Sequence, residues 1–178
     1  MQKKLLFVIF ITIFFGTIIS NSYCQSWRSD YDFVGKFSEN LAKVKLDDKW
    51  GFADRTGDLV IPAVYDDVRD FKNGSARIKS INKWGFVDKN GNIIVRAEYD
   101  DANDFKEELA RVKLNNKYGF INKMGKVIIP INYDSASDFS SGISKVTMKD
   151  DEFYIDKSGE IVEIEENNEE EYYEEEEW

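Results

Sequence analysis

Residues 65–98 read YDDVRDFKNGSARIKSINKWGFVDKNGNIIVRAE, and this 34-residue pattern is written four times along the chain. Tyr31, Tyr65, Tyr99 and Tyr133 form one column of the repeat, and Phe37, Phe71, Phe105 and Phe139 a second. Phe52, Phe86, Phe120 and Tyr154 form a third, and Gly57, Gly91, Gly125 and Gly159 a fourth. Self-similarity at a fixed period of this length marks an array whose units bury their apolar faces against their neighbours. The units are 31–64, 65–98, 99–132 and a weaker, degenerate 133–166.

Each unit carries three strand signals. In Leu41–Leu46, Ala42, Val44 and Leu46 alternate with Lys43 and Lys45, the period-two pattern of a strand with one buried face. Lys49–Ala53 places Trp50 and Phe52 on one face, expected to point inward with Val44 and Leu46. Leu59–Pro62 is apolar throughout. Asp47-Asp48, Asn82 and Asn115-Asn116 supply residues that tolerate the left-handed conformation of a tight hairpin. Asp54-Arg-Thr-Gly57 and its counterparts ending at Gly91, Gly125 and Gly159 have the form of a type I turn with a glycine bulge. The expected fold is all-β: an open twisted array of four three-stranded antiparallel repeats, each followed by a connector such as Tyr65–Phe71. A small β-propeller or barrel is the alternative. Propeller blades usually run to about 40–45 residues and four strands, longer than this unit.

Lys49-Trp50-Gly51-Phe52, Lys83-Trp84-Gly85-Phe86 and Lys117-Tyr118-Gly119-Phe120 resemble the WG (KWG) repeat of bacterial exported proteins. The Asp-x-x-Gly turns, Val60-Ile61-Pro62 and Tyr65-Asp66 fit the same pattern, which covers about Tyr31 to Val162. Arg96 replaces the proline in the second unit, Tyr118 the tryptophan in the third, and Glu152-Phe153 the dipeptide in the fourth, which reads as a capping unit. The resemblance implies an interaction role outside the cytoplasm and brings no catalytic residues with it.

The flanks differ from the repeats. Lys3 and Lys4, the uncharged run Leu5–Ile19 and the polar exit Ser20–Cys24 read as a signal peptide over residues 1–24. The run falls short of the roughly 20 apolar residues that cross a bilayer, so no stable membrane span is expected after cleavage. Cys24 is the single cysteine, preceded by Asn21, Ser22 and Tyr23, a poor match to a lipidation site, so lipoprotein anchoring is the less favoured reading. The domain then runs over 25–164, and a tail of 165–178 holds nine glutamates with Tyr172, Tyr173 and Trp178. That composition predicts disorder. The chain carries −10; the leader contributes two lysines and no acid, so the remainder carries −12, of which the tail accounts for −9. Such a balance argues against nucleic acid as a partner.

The chain has no histidine, and no thiol remains if the leader is cleaved after Cys24. The commonest general base and the nitrogen and sulfur ligands of metal sites are therefore missing, and neither an enzyme nor a cofactor is expected. Trp50, Trp84 and Tyr118 are read as core rather than as stacking platforms, because aromatics supply most of the burial in so short a unit. The candidate binding face is drawn from two columns. Tyr65, Tyr99 and Tyr133 sit in connectors, where function concentrates. Lys43, Arg77, Arg111 and Lys145 form a basic stripe, which either pairs with Asp70, Asp104 and Asp138 or grips an acidic partner, the tail included. The expected partner is a protein or a glycan of the cell envelope.

Overall fold

The computed structural model describes residues 27–164; the leader and the acidic tail lie outside them. A 3-10 turn, Trp27–Asp30, precedes sixteen described strands arranged as four antiparallel sheets in chain order. The first sheet comprises β1 (Phe33–Ser38), β2 (Leu41–Leu46), β3 (Lys49–Ala53) and β4 (Leu59–Tyr65). The second comprises β5 (Asp67–Val68), β6 (Ser75–Ser80), β7 (Lys83–Asp88) and β8 (Ile93–Tyr99). The third comprises β9 (Asp101–Ala102), β10 (Leu109–Leu114), β11 (Lys117–Asn122) and β12 (Val127–Tyr133). The fourth comprises β13 (Ser135–Ala136), β14 (Ile143–Met148), β15 (Asp151–Asp156) and β16 (Ile161–Val162).

The repeats are therefore four-stranded, not three-stranded. The extra strand lies in the stretch expected to be a connector. Asp67–Val68 pairs with Lys79 and Ile78, and the chain then turns through Asn73 (φ 53) and Gly74 (φ 84) into β6. The break between sheets falls after the tyrosine, so Tyr65 closes one sheet and Asp67 opens the next. The second hairpin turns are as the sequence predicts. Asp47-Asp48, Ile81-Asn82, Asn115-Asn116 and Lys149-Asp150 all take positive φ at both residues, the type I′ geometry that matches strand twist. In the third turns one carboxylate or amide oxygen organises the loop: Asp54 Oδ1 accepts from the backbone N–H of Thr56 at 2.8 Å, Gly57 at 3.1 Å and Asp58 at 3.1 Å. Asp88, Asn122 and Asp156 do the same in their units.

Three cores lie between consecutive sheets. Phe52 and Ile61 meet Val68, Phe71 and Ile78; Phe86 and Val95 meet Phe105, Val112 and Ile121; Phe120 and Ile129 meet Phe139, Val146 and Ile155. Each is centred on a phenylalanine pair, Phe52–Phe71 at 4.8 Å, Phe86–Phe105 at 4.8 Å and Phe120–Phe139 at 4.7 Å between ring centroids. Two sequence columns thus meet as partners across every interface, in the inclined arrangement the aromatic quadrupoles favour.

The two ends are closed differently, which leaves the array open. At the front, Trp27 is buried against Val44 and Ala53 and lies over Gly57, where the later units place Gly91 against Val60 and Ile61 of the sheet before. At the back, the positions that face onward change character. Tyr154 stands where the first three units have Phe52, Phe86 and Phe120, and Glu163 where they have Ile61, Val95 and Ile129. Glu152 stands at the place of Trp50, Trp84 and Tyr118. A polar outer face is what a terminal repeat needs for solubility.

Candidate functional site

The WG dipeptide is a packing device. The last strand of each of the first three sheets bulges between its pairing with the tryptophan position and its pairing with the following phenylalanine: Trp84 opposes Tyr99 while Phe86 opposes Val95. The surplus backbone lies against the glycine. A Cβ on Gly85 would stand 2.5 Å from the Val95 carbonyl oxygen and 2.7 Å from the Ala97 nitrogen. Proline suits the bulge because it has no N–H to donate, which accounts for Pro62 and Pro130 there.

The lysine before the dipeptide and the aspartate after the tyrosine are also one structural unit. Lys49 Nζ donates to Asp66 at 2.6 Å, Lys83 to Asp100 at 2.5 Å, and Lys117 to Asp134. The second oxygen of each aspartate accepts from a backbone N–H of the I′ turn, Ile81 at 2.7 Å, Asn115 at 2.8 Å and Lys149 at 3.0 Å. The lysine first, and the turn N–H next, hold these carboxyls below the usual aspartate range. A depressed folded-state pKa means stability that is present above the unfolded value of about 3.9 and lost as pH falls through the folded value. The thermal midpoint should therefore hold between pH 7 and about 5 and drop below about pH 4. In melts at stepped pH, an Asp66→Asn/Asp100→Asn/Asp134→Asn chain should show a shallower acid-side fall; an unchanged fall would sink the assignment.

The tyrosine column is placed in the cores and not on a ladder. Tyr99 is 3% exposed and Tyr133 7%, and Tyr65 is half-buried. Each lies beside the tryptophan position of the neighbouring strand, and burial raises their phenol pKa values. The connector placement is corrected: each tyrosine ends the last strand of its sheet, opposite the tryptophan position, and the next sheet opens two residues later.

The basic stripe is tied to the following unit. Lys43 pairs with Asp70 at 3.4 Å, Arg77 with Asp104 at 2.7 Å and Arg111 with Asp138 at 3.4 Å, while Lys145 pairs with Glu152 of its own sheet at 2.7 Å. Arg77 also donates to the Ala102 carbonyl at 2.6 Å, and Arg111 to that of Ala136. The structure joins Lys43, Arg77 and Arg111 to the Asp column, so these three form an inter-unit clamp. The pairing also corrects the expected faces. Lys43 opposes Phe52 and Lys45 opposes Trp50, so the aromatics share their face with the lysines, while Val44 opposes Gly51. Both faces of an inner sheet are covered, and the cations lie over the rings: Arg69 at 5.1 Å and Lys79 at 5.6 Å from the Trp84 ring, Lys113 at 5.2 Å from that of Tyr118.

A surface the sequence reading missed lies on the outer edge. β4, β8, β12 and β16 are the last strands of their sheets. At the start of each is an exposed aliphatic: Leu59 at 41%, Ile93 at 60%, Val127 at 43% and Ile161 at 67%. These form a fifth column at the same spacing of 34. Arg55, Lys89, Lys123 and Lys157 run beside it in the preceding turns. The signal was present in the sequence, since an aliphatic recurs two residues after each turn glycine, Gly57, Gly91, Gly125 and Gly159. Among the described residues no group of histidine, cysteine or acidic side chains is placed to hold a metal ion, and no helix is long and apolar enough to cross a membrane.

Sequence comparison accounts for the same geometry. No curated protein matches the chain. A solved structure of a plant lectin with two metal-binding sites from Cicer arietinum is similar over 74% of this chain and 90% of its own, at 13% identity and a TM-score of 0.29, a likeness that carries no argument about ligand. A family described as "WG containing repeat" matches in four consecutive segments, 30–50, 50–84, 84–118 and 118–151. The first segment holds β1 and β2, and the other three each start at the tryptophan position and hold the last two strands of one sheet and the first two of the next; this chain belongs to the WG-repeat family.

Proposed function

We propose that this chain is an exported, non-catalytic module that binds a protein partner at the cell envelope through the outer edge of its array. The observation that carries the reading is the aliphatic column Leu59, Ile93, Val127 and Ile161, exposed once per unit and in register. Apolar side chains lined up on the surface of a soluble array mark an interaction site. The edge strands add unpaired backbone groups to which an extended segment of a partner can hydrogen-bond. Export rests on Lys3, Lys4 and the apolar run Leu5–Ile19.

The test uses the full-length protein coupled to a support and exposed to envelope extract, with a Leu59→Asp/Ile93→Asp chain beside it. The parent should retain a partner that the variant loses at least tenfold, with thermal midpoints within a few degrees. Equal retention by both would remove the edge from the proposal. Mass spectrometry of the protein from its host should find an N-terminus near Gln25; an intact leader in the membrane fraction would overturn the exported reading. A second reading, a carbohydrate-binding module, is supported by Phe33, 46% exposed and edge-to-face with Trp50 at 5.5 Å. A glycan array on which Phe33→Ala abolishes binding would favour it.

A further inference from the structure

We propose that the acidic segment Glu165–Trp178 docks on the outer edge of the third unit, over Lys123, Met124, Lys126 and Val127. The third unit differs from its neighbours there. Residues 122–133 contain Lys123 and Lys126 and no acid, whereas 54–65 holds Asp54 and Asp58, 88–99 holds Asp88 and Glu98, and 156–164 holds Asp156, Glu160 and Glu163. The same stretch is apolar and open. Met124 is 80% exposed and Val127 43%, and β12 has no strand on its far side among the described residues. Lys126 is exposed and makes no ion pair among the described residues. Lys123 pairs at 2.9 Å with Glu108, itself 75% exposed, a contact water already competes for. Arg96 on β8, one unit away, is exposed and likewise without an ion pair among the described residues.

The segment has the complementary chemistry and the reach. Its nine glutamates match the basic patch, and Tyr172, Tyr173 and Trp178 match the aliphatic one. It follows Ile164, two residues beyond β16, the outer-edge strand of the fourth sheet, so it leaves the fold on the edge that carries the patch. Packed sheets lie about 10 Å apart. Fourteen extended residues span about 46 Å, enough to cross the third unit. Tethering gives such a segment an effective concentration on the order of millimolar, so weak contacts suffice. The stripe Lys43, Arg77, Arg111 and Lys145 is the poorer site, since its charges are already paired. The docking does not rest on the partner reading, and a failed pull-down would leave it standing.

The experiment is zero-length carbodiimide coupling of carboxylates to lysines on the full chain, at low salt, with peptide mapping. Tail glutamates should join Lys123 and Lys126 at several-fold higher yield than Lys43, Lys79 or Lys145. Raising salt from 0.01 M to 1 M shortens the Debye length from about 30 Å to about 3 Å and should cut that yield several-fold. A Met124→Asp/Val127→Asp chain, which keeps both lysines, should lose the preference. So should a Tyr172→Ser/Tyr173→Ser/Trp178→Ser chain, which alters none of the described residues 27–164. Mixing isotopically heavy and light chains should give links within one chain. Links spread evenly over the exposed lysines, links mainly between heavy and light chains, or a preference that survives both variants would each overturn the proposal.

Discussion

Gly85→Ala should prevent folding or lower stability by at least about 3 kcal/mol, for a single methyl group added to a 178-residue chain. The atoms that the new Cβ would meet decide the magnitude. All are backbone: the Val95 oxygen at 2.5 Å, and the Ala97 nitrogen and Arg96 carbon at 2.7 Å. A crowded side chain can change rotamer, but these atoms belong to the bulge of β8 and move only if the strand does. Straightening β8 would slide its pairing with β7 by two residues, since the two steps from Trp84 to Phe86 are matched by four from Val95 to Tyr99. Tyr99, in the second core, would lose its place opposite Trp84. The comparison is Gly74→Ala. That glycine has φ +84 but nothing within 4 Å of its Cβ position, so only the left-handed strain applies, about 1 kcal/mol. Urea midpoints of the two variants separate close approach from backbone conformation. Equal midpoints would refute the packing account of the WG dipeptide.

This case marks where the sequence was legible and where it stopped. The spacing of 34 located every unit, and hairpin turn chemistry located the strands on either side of Asp47-Asp48 and Asn115-Asn116, because those turns need residues that accept positive φ. In the last three sheets the first strand escaped because it is two residues long and carries no alternation to read, although its counterpart in the first sheet, Phe33–Ser38, has six residues. Its turn did leave a trace. Asn73-Gly74 is the dipeptide that most favours a tight hairpin, and it begins two residues after Phe71. Missing that strand had a second effect. A connector would leave the tyrosines accessible, whereas Tyr99 and Tyr133 end strands and are buried.

The face assignment failed for a different reason. Alternation divides a strand into two sides, but it names the buried side only when the other meets water. Here a sheet is covered on both sides by its neighbours, and the lysine columns lie inside the array with their stems along aromatic rings. No periodicity distinguishes Lys79 over Trp84 from a solvated lysine; only the packing of the next sheet does. The Asp column supplied the hint. Lys43 and Asp70, Arg77 and Asp104, and Arg111 and Asp138 each stand 27 residues apart, which is the separation of partners across one interface.

Phe86→Ala should cost about 3–5 kcal/mol, the usual range for emptying a buried phenylalanine site. The side chain is 1% exposed and its ring lies 4.8 Å from that of Phe105. The cavity opens at the middle interface of three, between the second and third sheets, and this position changes the shape of unfolding as well as its midpoint. In an array stabilised by nearest-neighbour contacts, the coupling between halves is carried by the interface that joins them. Weakening the middle one leaves a front half closed by Trp27 and a rear half closed by the polar face of the fourth sheet. The denaturant transition of Phe86→Ala should therefore broaden or split, and probes in the two halves should report different midpoints. Tyr154→Ala removes the residue of the same column in the last unit, which faces no fifth sheet; it should cost under about 1 kcal/mol and leave the transition single. Amide exchange at Val44 and Phe52 follows the front half, and at Ile129 and Ile155 the rear. If Phe86→Ala unfolds in one sharp step at every probe, the array is a single cooperative body, and the interface-by-interface account of its stability is wrong.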